Sequence, residues 1–367
     1  PGGSRVNVVL APVALNGPIV TIRKFPKDAI TMEQLIAWDS VSEEVTEFLA
    51  MLVVAGYNIF ISGGTGSGKT TFLNALSQYI PKTERIITIE DNAELKIQDV
   101  SNLVSLEARN ANVEGNGAIT IRDLIKSALR MRPDRIIVGE VRSAEAIDML
   151  QALNTGHDGS LSTGHANSPK DMLARLETMV LMGMDIPLPA VRRQIASGID
   201  IIVHLGRLRD KSRKLLAVTE VMGYEDGEVI LKPLYTFEET GEVHGKIQGI
   251  WRKERELENI TKLLAAGCKT GRTNENGRAD SCASRTDCMA LLSGNLGSGV
   301  SDTGRNSVLP DKEKGMREEK TTGVSFGVQR DDPESRRGTE HRIFSGKRSA
   351  GDAKRINDGL SQRGSYF

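Results

Sequence analysis

A glycine-rich segment that ends in a lysine and two threonines contains the residue types best suited to chemistry. Gly63, Gly68, Lys69 and Thr70 match the spacing G-x-x-x-x-G-K-[ST] of a phosphate-binding loop. In such a loop, glycines let backbone N–H groups approach phosphate oxygens, the lysine ammonium meets the β and γ phosphates, and the threonine hydroxyl meets Mg²⁺. The candidate nucleotide-binding residues in this segment are Gly63, Gly64, Thr65, Gly66, Ser67, Gly68, Lys69, Thr70 and Thr71.

The other interpretation of this segment is a glycine-rich hairpin turn that happens to end in lysine. The flanking sequence favours the phosphate loop, because a strand-like run over 59–61 precedes it and an amphipathic pattern follows it over 72–76. The sequence therefore predicts that the chain binds a nucleoside triphosphate together with Mg²⁺.

Hydrolysis of a triphosphate also needs acidic side chains, and two apolar segments end in such residues. Segment 136–140 ends in Glu140, as is typical of a Walker B acid that meets Mg²⁺ through water, so Thr70 and Glu140 are the candidate metal residues. Segment 85–90 ends in Glu90, which could polarise the attacking water. For both acids, the alternative interpretation is a solvated carboxylate at the end of a strand.

Segment 154–167 combines two histidines with several hydroxyl groups and has few apolar residues. This composition favours a polar loop that senses the γ-phosphate over a structural histidine in the core, and it makes His165 the candidate sensor. Arginines could supply positive charge to the phosphates, although a solvated surface charge is an equally good interpretation of each. The candidates are Arg5, Arg23, Arg109, Arg122 and Arg142. Arg142 joins Glu90, Glu140 and His165 as a candidate catalytic residue.

The elements that must hold these residues alternate between strands and helices, which predicts an α/β fold with helices around a mostly parallel sheet. The predicted strands cover 6–15, 18–25, 59–61, 85–90, 103–106, 136–140, 199–205, 215–222 and 228–235. The first two of these surround a turn at Asn16–Gly17. Residues with N-capping side chains begin the predicted helices at Thr31, Ser42, Thr120, Ser143 and Ser168.

The composition is that of an ordinary globular protein and argues against several classes of function. Lys plus Arg and Asp plus Glu both number 48 among 367 residues, so the chain has no overall basic field and we expect no nucleic-acid partner. No apolar run is long enough to span a bilayer. The three cysteines all follow residue 267 and lack the spacing of a zinc site, which suits a reducing compartment.

The two ends of the sequence differ from its middle. The chain begins Pro1-Gly2-Gly3 without an initiator methionine, and we interpret it as a fragment. We expect a disordered or aberrant tail over 268–367, because small and polar residues dominate it and no apolar period continues. The predicted domains are then 1–40, the end of an amino-terminal domain with its linker, and 41–267, the nucleotide-binding domain.

In four segments, the sequence resembles the type II/type IV secretion and pilus ATPase family, and it is most similar to the CpaF-like motors of tight-adherence (Flp) pili. The segments are 63–71, 88–95, 129–142 and 154–169, which resemble the family's Walker A, Asp, Walker B and His boxes in order and spacing. The resemblance extends from about Gly3 to Gly267. Nothing after Gly267 resembles the family, so a reading-frame slip near that point is an alternative to a genuine extension.

The resemblance implies a RecA-like P-loop NTPase that forms a homohexamer, with ATP at the subunit boundaries and an amino-terminal domain that moves during turnover. It implies that Glu90 is the catalytic carboxylate, Glu140 the Walker B acid and His165 the sensor, and that Arg5 and Arg23 reach the nucleotide. It further implies a cytoplasmic motor, peripheral at the inner membrane, that hydrolyses ATP to drive pilus assembly or protein secretion through inner-membrane platform proteins.

Two other functions fit a phosphate loop. A DNA-handling RecA-like motor would need a basic groove with aromatic side chains, and the balanced charge and few aromatic residues weigh against it. A ring that binds ATP as a structural switch without productive turnover would differ from the motor only in its rate of phosphate release.

Overall fold

The computed structural model describes residues 4–24, 29–98, 100–112 and 114–268, which form eleven strands and eight helices. The strands are β1 (Arg5–Val9), β2 (Ile19–Arg23), β3 (Ile59–Gly63), β4 (Arg85–Glu90), β5 (Asn102–Glu107), β6 (Arg135–Val141), β7 (Leu161–His165), β8 (Ile201–Arg207), β9 (Arg213–Glu225), β10 (Glu228–Val243) and β11 (Lys246–Lys253). The helices are α1 (Met32–Ala37), α2 (Glu43–Val54), α3 (Lys69–Ser77), α4 (Ile121–Ala128), α5 (Glu145–Leu153), α6 (Pro169–Gly183), α7 (Leu188–Gly198) and α8 (Thr261–Ala265). The predicted tail lies outside the described residues apart from Cys268.

Nine of these strands form one sheet in the order β11-β10-β9-β8-β3-β7-β6-β4-β5. The strands from β8 to β5 in this order run parallel, and β9, β10 and β11 extend the sheet as antiparallel hairpins. The predicted α/β fold with a mostly parallel sheet is confirmed. Because neighbouring strands are parallel, the carboxyl ends of β3, β7, β6 and β4 lie side by side, which is where ligands bind in open α/β sheets.

Alternating side chains of the central strands supply two separate hydrophobic cores, one on each face of the sheet. In β3, Ile59 and Ile61 pack into the core covered by α1, α2 and α3, whereas Phe60 packs into the core covered by α4, α5, α6 and α7. In β6, Ile137 belongs to the first core and Ile136 to the second. All five residues of β3 are buried, which explains why a continuous apolar run, rather than an alternating one, precedes the loop.

Side-chain caps begin several helices where the sequence predicted them. Thr31 and Thr120 form capping boxes with Gln34 and Asp123, and Ser168 accepts a hydrogen bond from the N–H of Asp171. The prediction that Ser143 caps α5 is wrong: the cap residue is Ala144 and has no side-chain hydrogen bond. The carboxylate of Glu145 instead accepts hydrogen bonds from the N–H groups of Arg142 and Ser143, and so satisfies this turn.

Three elements were absent from the sequence prediction. The prediction of a polar loop over 154–167 is wrong for its second half, because Leu161–His165 form the buried central strand β7, whose serine, threonine and glycine hide the apolar pattern of a strand. Helix α7 begins directly after Pro187 and has a proline in its first turn, where proline is compatible with a helix although it usually indicates a break. Strand β11 pairs with β10 and contains Gly249. A Cβ added at Gly249 would lie only 2.3 Å from the ring of Phe237, so the packing there requires glycine. The misses of α7 and β11 come from proline or glycine at a place where tertiary packing decides the structure.

The β1–β2 hairpin is shorter than predicted. Strand β1 ends at Val9, not at residue 15, and β2 covers only Ile19–Arg23, so residues 10–18 form a longer connection than a two-residue turn. Its apolar side chains stay exposed, since Val6, Val8, Val20 and Ile22 each keep half or more of their surface accessible. Among the described residues, no helix is both long and apolar enough to cross a membrane.

Candidate functional site

The phosphate loop connects the end of β3 to the start of α3, and its glycines are needed for its shape. Gly66 and Gly68 have φ angles of 73° and 96°, in the left-handed region that favours glycine. At Gly63, an added Cβ would lie 2.4 Å from the carbonyl oxygen of Leu205 and 2.6 Å from the hydroxyl of Ser67. The loop thus turns sharply and packs closely against β8.

Lys69 is the first residue of α3, and its side chain folds back over the loop. Its Nζ donates hydrogen bonds to the carbonyl oxygens of Gly63 and Gly64, each at 3.1 Å. It also lies 3.2 Å from Nδ1 of His165, at the end of β7. Because an ammonium can only donate, Nδ1 accepts, and the imidazole proton is on Nε2.

The two ring nitrogens of His165 face different partners, Nδ1 facing Lys69 and Nε2 facing Glu140. Nε2 of His165 lies 2.9 Å from Oε1 of Glu140, a half-buried residue near the end of β6. The other oxygen of Glu140 accepts a hydrogen bond from Nη2 of Arg142 at 2.6 Å, and Nη1 of Arg142 contacts Asp91 at 3.1 Å. A continuous series of polar contacts therefore joins the carboxyl ends of β3, β7, β6 and β4.

The charges of these groups follow from their surroundings. Burial, followed by the positive charge of Lys69, lowers the pKa of His165, so the ring is neutral near pH 7. Burial by itself would raise the pKa of Glu140, but the hydrogen bond and charge of Arg142 and the charge of Lys69 outweigh it and hold that pKa below its usual value. Burial also lowers the pKa of Lys69. From Lys69 to Arg142, the series consists of two cations, one carboxylate and one neutral imidazole.

Glu90 lies beside this series in a more enclosed position. Its Oε1 accepts hydrogen bonds from the backbone N–H groups of Glu94 and Leu95, both at 3.0 Å. Burial raises the pKa of Glu90 to about 7, against the effect of those two hydrogen bonds. A Cβ at Gly139 would lie 2.8 Å from Cγ of Glu90, so glycine on the adjacent strand makes room for this side chain.

The five candidate arginines separate into two groups. Arg5, Arg23 and Arg142 line the same cleft as the phosphate loop, and Arg23 also forms an ion pair with Glu94 at 3.0 Å. The structure does not bring Arg109 or Arg122 there. Arg109 donates to the carbonyl of Gly117 within its own loop, at 2.8 Å, and Arg122 pairs with the buried Asp148 at 2.5 Å.

The cleft around the loop has a volume of about 900 Å³, which is large enough for a nucleotide. Its lining includes Thr70 and Glu140, whose hydroxyl and carboxylate oxygens are ligands that suit Mg²⁺. Sequence reasoning missed other parts of the wall, which include apolar side chains and residues of β8, of β9 and of the turn between them. These are Ile30, Leu35, Trp38, Leu205, Ser212, Arg213, Lys214 and Leu215. No motif identifies them, because they reach the cleft only through tertiary packing.

Comparison with known proteins relates the chain to secretion proteins. A family model described as "Type II/IV secretion system protein" matches residues 1–280. A putative conjugal transfer protein of Mycobacterium tuberculosis is 40% identical over 225 residues, which cover 61% of this chain and 63% of that protein. The type IV secretion system protein PtlH of Bordetella pertussis is 34% identical over 258 residues, covering 62% of this chain and 74% of PtlH.

Among solved structures, the chain is similar to the VirB11 ATPase from the Brucella suis type IV secretion system in complex with sulphate. The identity is 32%, the TM-score is 0.44, and the match covers 59% of this chain and 71% of that structure. This chain therefore spans only part of the proteins that it resembles, including 63% of the mycobacterial protein.

Proposed function

The chain belongs to the type II/IV secretion system protein family, and from this premise we propose that it is an ATPase whose turnover drives a secretion or pilus machine. The observation that carries the proposal is the series of contacts from Lys69 through His165 and Glu140 to Arg142, at the carboxyl ends of adjacent strands. A phosphate loop alone binds a nucleotide. The added acids, imidazole and arginine are the groups that hydrolysis requires.

In this proposal, each side chain has one role in the reaction. The N–H groups of residues 64–71 surround the phosphates, and Lys69 exchanges its contacts with loop carbonyls for phosphate oxygens. Mg²⁺, held by the hydroxyl of Thr70 and through water by Glu140, would neutralise charge on the β and γ phosphates. Glu90, once ionised, orients the attacking water and accepts its proton.

His165 and Arg142 report on the γ-phosphate. Nε2 of neutral His165 carries the ring proton and lies 2.9 Å from Oε1 of Glu140, so in this proposal the ring can turn to donate to a phosphate oxygen and turn back after hydrolysis. Arg142 has an exposed guanidinium that faces the cleft and can stabilise charge on the transferred phosphoryl group. Arg5 and Arg23 would add positive charge from the β1–β2 hairpin.

We further propose that the functional unit is a homohexamer in the cytoplasm, bound peripherally to the inner membrane through platform proteins. Support comes from the family membership and from the resemblance to CpaF-like motors, which points to a tight-adherence (Flp) system. Sedimentation with and without a nonhydrolysable ATP analogue tests the ring. A chain that stays monomeric at every concentration and nucleotide state contradicts this part of the proposal.

The catalytic proposal is tested by the release of inorganic phosphate from ATP. We expect steady-state release that depends on Mg²⁺ and stops when EDTA removes the metal. If a fluorescent ATP analogue binds but no phosphate is released under any condition, the chain acts as a nucleotide-gated structural ring instead.

The pKa of Glu90 predicts a pH dependence of turnover. Because a carboxylate accepts a proton only when ionised, and the pKa of Glu90 is raised to about 7 in the free protein, kcat/KM should rise with pH and be roughly tenfold higher at pH 8 than at pH 6. Phosphate release at ATP concentrations well below KM measures this profile. The residual rate of Glu90→Gln should lack the rise, and the same profile in that variant would assign the titration to another group.

A further inference from the structure

Arg213 contacts the phosphate loop from within the same chain, although no sequence pattern identified it. Its Nε donates a hydrogen bond to the carbonyl oxygen of Gly66 at 2.8 Å. Its Cδ lies 3.3 Å from the point where a Cβ on Gly68 would be. The side chain is exposed and lines the cleft, so it does not fill the hydrophobic core.

The contact with Gly66 acts on the part of the loop that would face phosphate. The peptide group is planar, and its C=O and N–H point in opposite directions. Fixing the carbonyl of Gly66 therefore fixes the direction of the N–H of Ser67. That N–H lies 3.3 Å from the carbonyl oxygen of Gly64, a long hydrogen bond that a phosphate oxygen can replace.

Hydrogen bonds to residues that follow α1 hold the start of β9, the strand that carries Arg213. The next residue, Lys214, is buried and donates from Nζ to the carbonyl oxygen of Asp39 at 2.5 Å and to the carboxylate of the same residue. The N–H of Leu215 donates to the carbonyl of Ser40 at 2.8 Å. Arg213 thus extends from an anchored backbone, and its guanidinium can hold a flexible loop in one orientation.

We propose that Arg213 is a positioning residue for nucleotide binding: its hydrogen bond to Gly66 keeps the N–H groups of the loop turned toward the phosphates. The inference rests on the proposed function, since it needs a nucleotide at the loop. It adds an arginine from β9 of the same subunit to the groups that determine affinity. Arg213 contacts the loop at Gly66 and, in this proposal, does not touch the reacting atoms.

The experiment measures binding of MANT-ADP and MANT-ATP with Mg²⁺ to the full chain and to three variants. We expect Arg213→Ala to raise the Kd of both nucleotides by about tenfold, as for the loss of one charge-assisted hydrogen bond, and to raise KM similarly with kcat unchanged. Arg213→Lys keeps a donor and a charge and should recover part of the affinity. Arg209→Ala is the matched control, because Arg209 precedes the same strand but pairs with Glu239 and Glu242.

Several outcomes would overturn the inference. Unchanged affinity in Arg213→Ala, or an equal loss in Arg209→Ala, removes the specific role of the contact with Gly66. A loss for MANT-ATP that clearly exceeds the loss for MANT-ADP indicates direct contact with the γ-phosphate instead of positioning. If the unaltered chain binds neither nucleotide, the proposed function fails and this inference fails with it, whereas binding without hydrolysis affects the proposed function alone.

Discussion

Replacement of Lys69 by alanine is expected to lower the affinity for Mg²⁺·ATP by roughly 100-fold or more and to abolish measurable hydrolysis. The ammonium would make hydrogen bonds to charged phosphate oxygens, each worth about 1.5–3 kcal/mol. The substitution also removes the donor to Nδ1 of His165, so the imidazole loses the contact that fixes its tautomer. Titration with MANT-ATP and a phosphate-release assay measure the two effects.

Lys170→Ala is the matched control, because Lys170 is an exposed lysine in the first turn of α6 and does not line the cleft. Its affinity and rate should equal those of the unaltered chain. Since Lys69 is buried, circular dichroism must show that Lys69→Ala remains folded. A folded Lys69→Ala variant that still binds and hydrolyses ATP normally would place the nucleotide elsewhere.

Glu90→Gln is expected to separate binding from chemistry. Glutamine has nearly the same shape and can still accept the hydrogen bonds from the N–H groups of Glu94 and Leu95, so the local structure should persist. It cannot accept a proton, and we expect kcat to fall by about 10²- to 10⁴-fold, as for the loss of a general base. KM and the Kd for MANT-ATP should stay close to those of the unaltered chain.

Glu107→Gln is the control for this prediction. Glu107 is paired with Glu90 in the register of β4 and β5, but its side chain is exposed. Its charge is the smallest of the named contributions to the raised pKa of Glu90, so its substitution should leave kcat unchanged well above pH 7, where Glu90 is already ionised. If Glu90→Gln retains full activity, or if Glu107→Gln loses as much, the catalytic base is a different residue.

Sequence alone predicted those features that depend on local chemistry. Three strands are visible in the sequence as short apolar runs. One leads into the loop 63–71, and the other two, which are rich in isoleucine and valine, have Glu90 and Glu140 at or near their ends. The parallel sheet follows from the alternation of strands and helices, and it explains why side chains far apart in sequence meet. The helix caps at Thr31, Thr120 and Ser168 could be predicted for the same reason, since each bond spans only three residues.

Features that depend on long-range packing could not be predicted. Arg213 reaches Gly66 only because β8 pairs with β3 and then turns into β9, which no spacing in the sequence encodes. Arg109 and Arg122 had the same residue type as Arg142 but found partners in their own surroundings. The raised pKa of Glu90 depends on burial, which a sequence pattern does not measure.

The position of β3 in the sheet has a consequence for synthesis of the protein. Its two neighbours are β7 and β8, so Ile59 pairs with Leu161 and Ile201, and no strand from the nearer part of the described chain pairs with β3. During translation, β3 therefore gains both neighbours only after residues beyond β8 have left the ribosome. Until then it is an apolar strand with at least one unpaired edge, the kind of surface that makes an incomplete chain prone to aggregate.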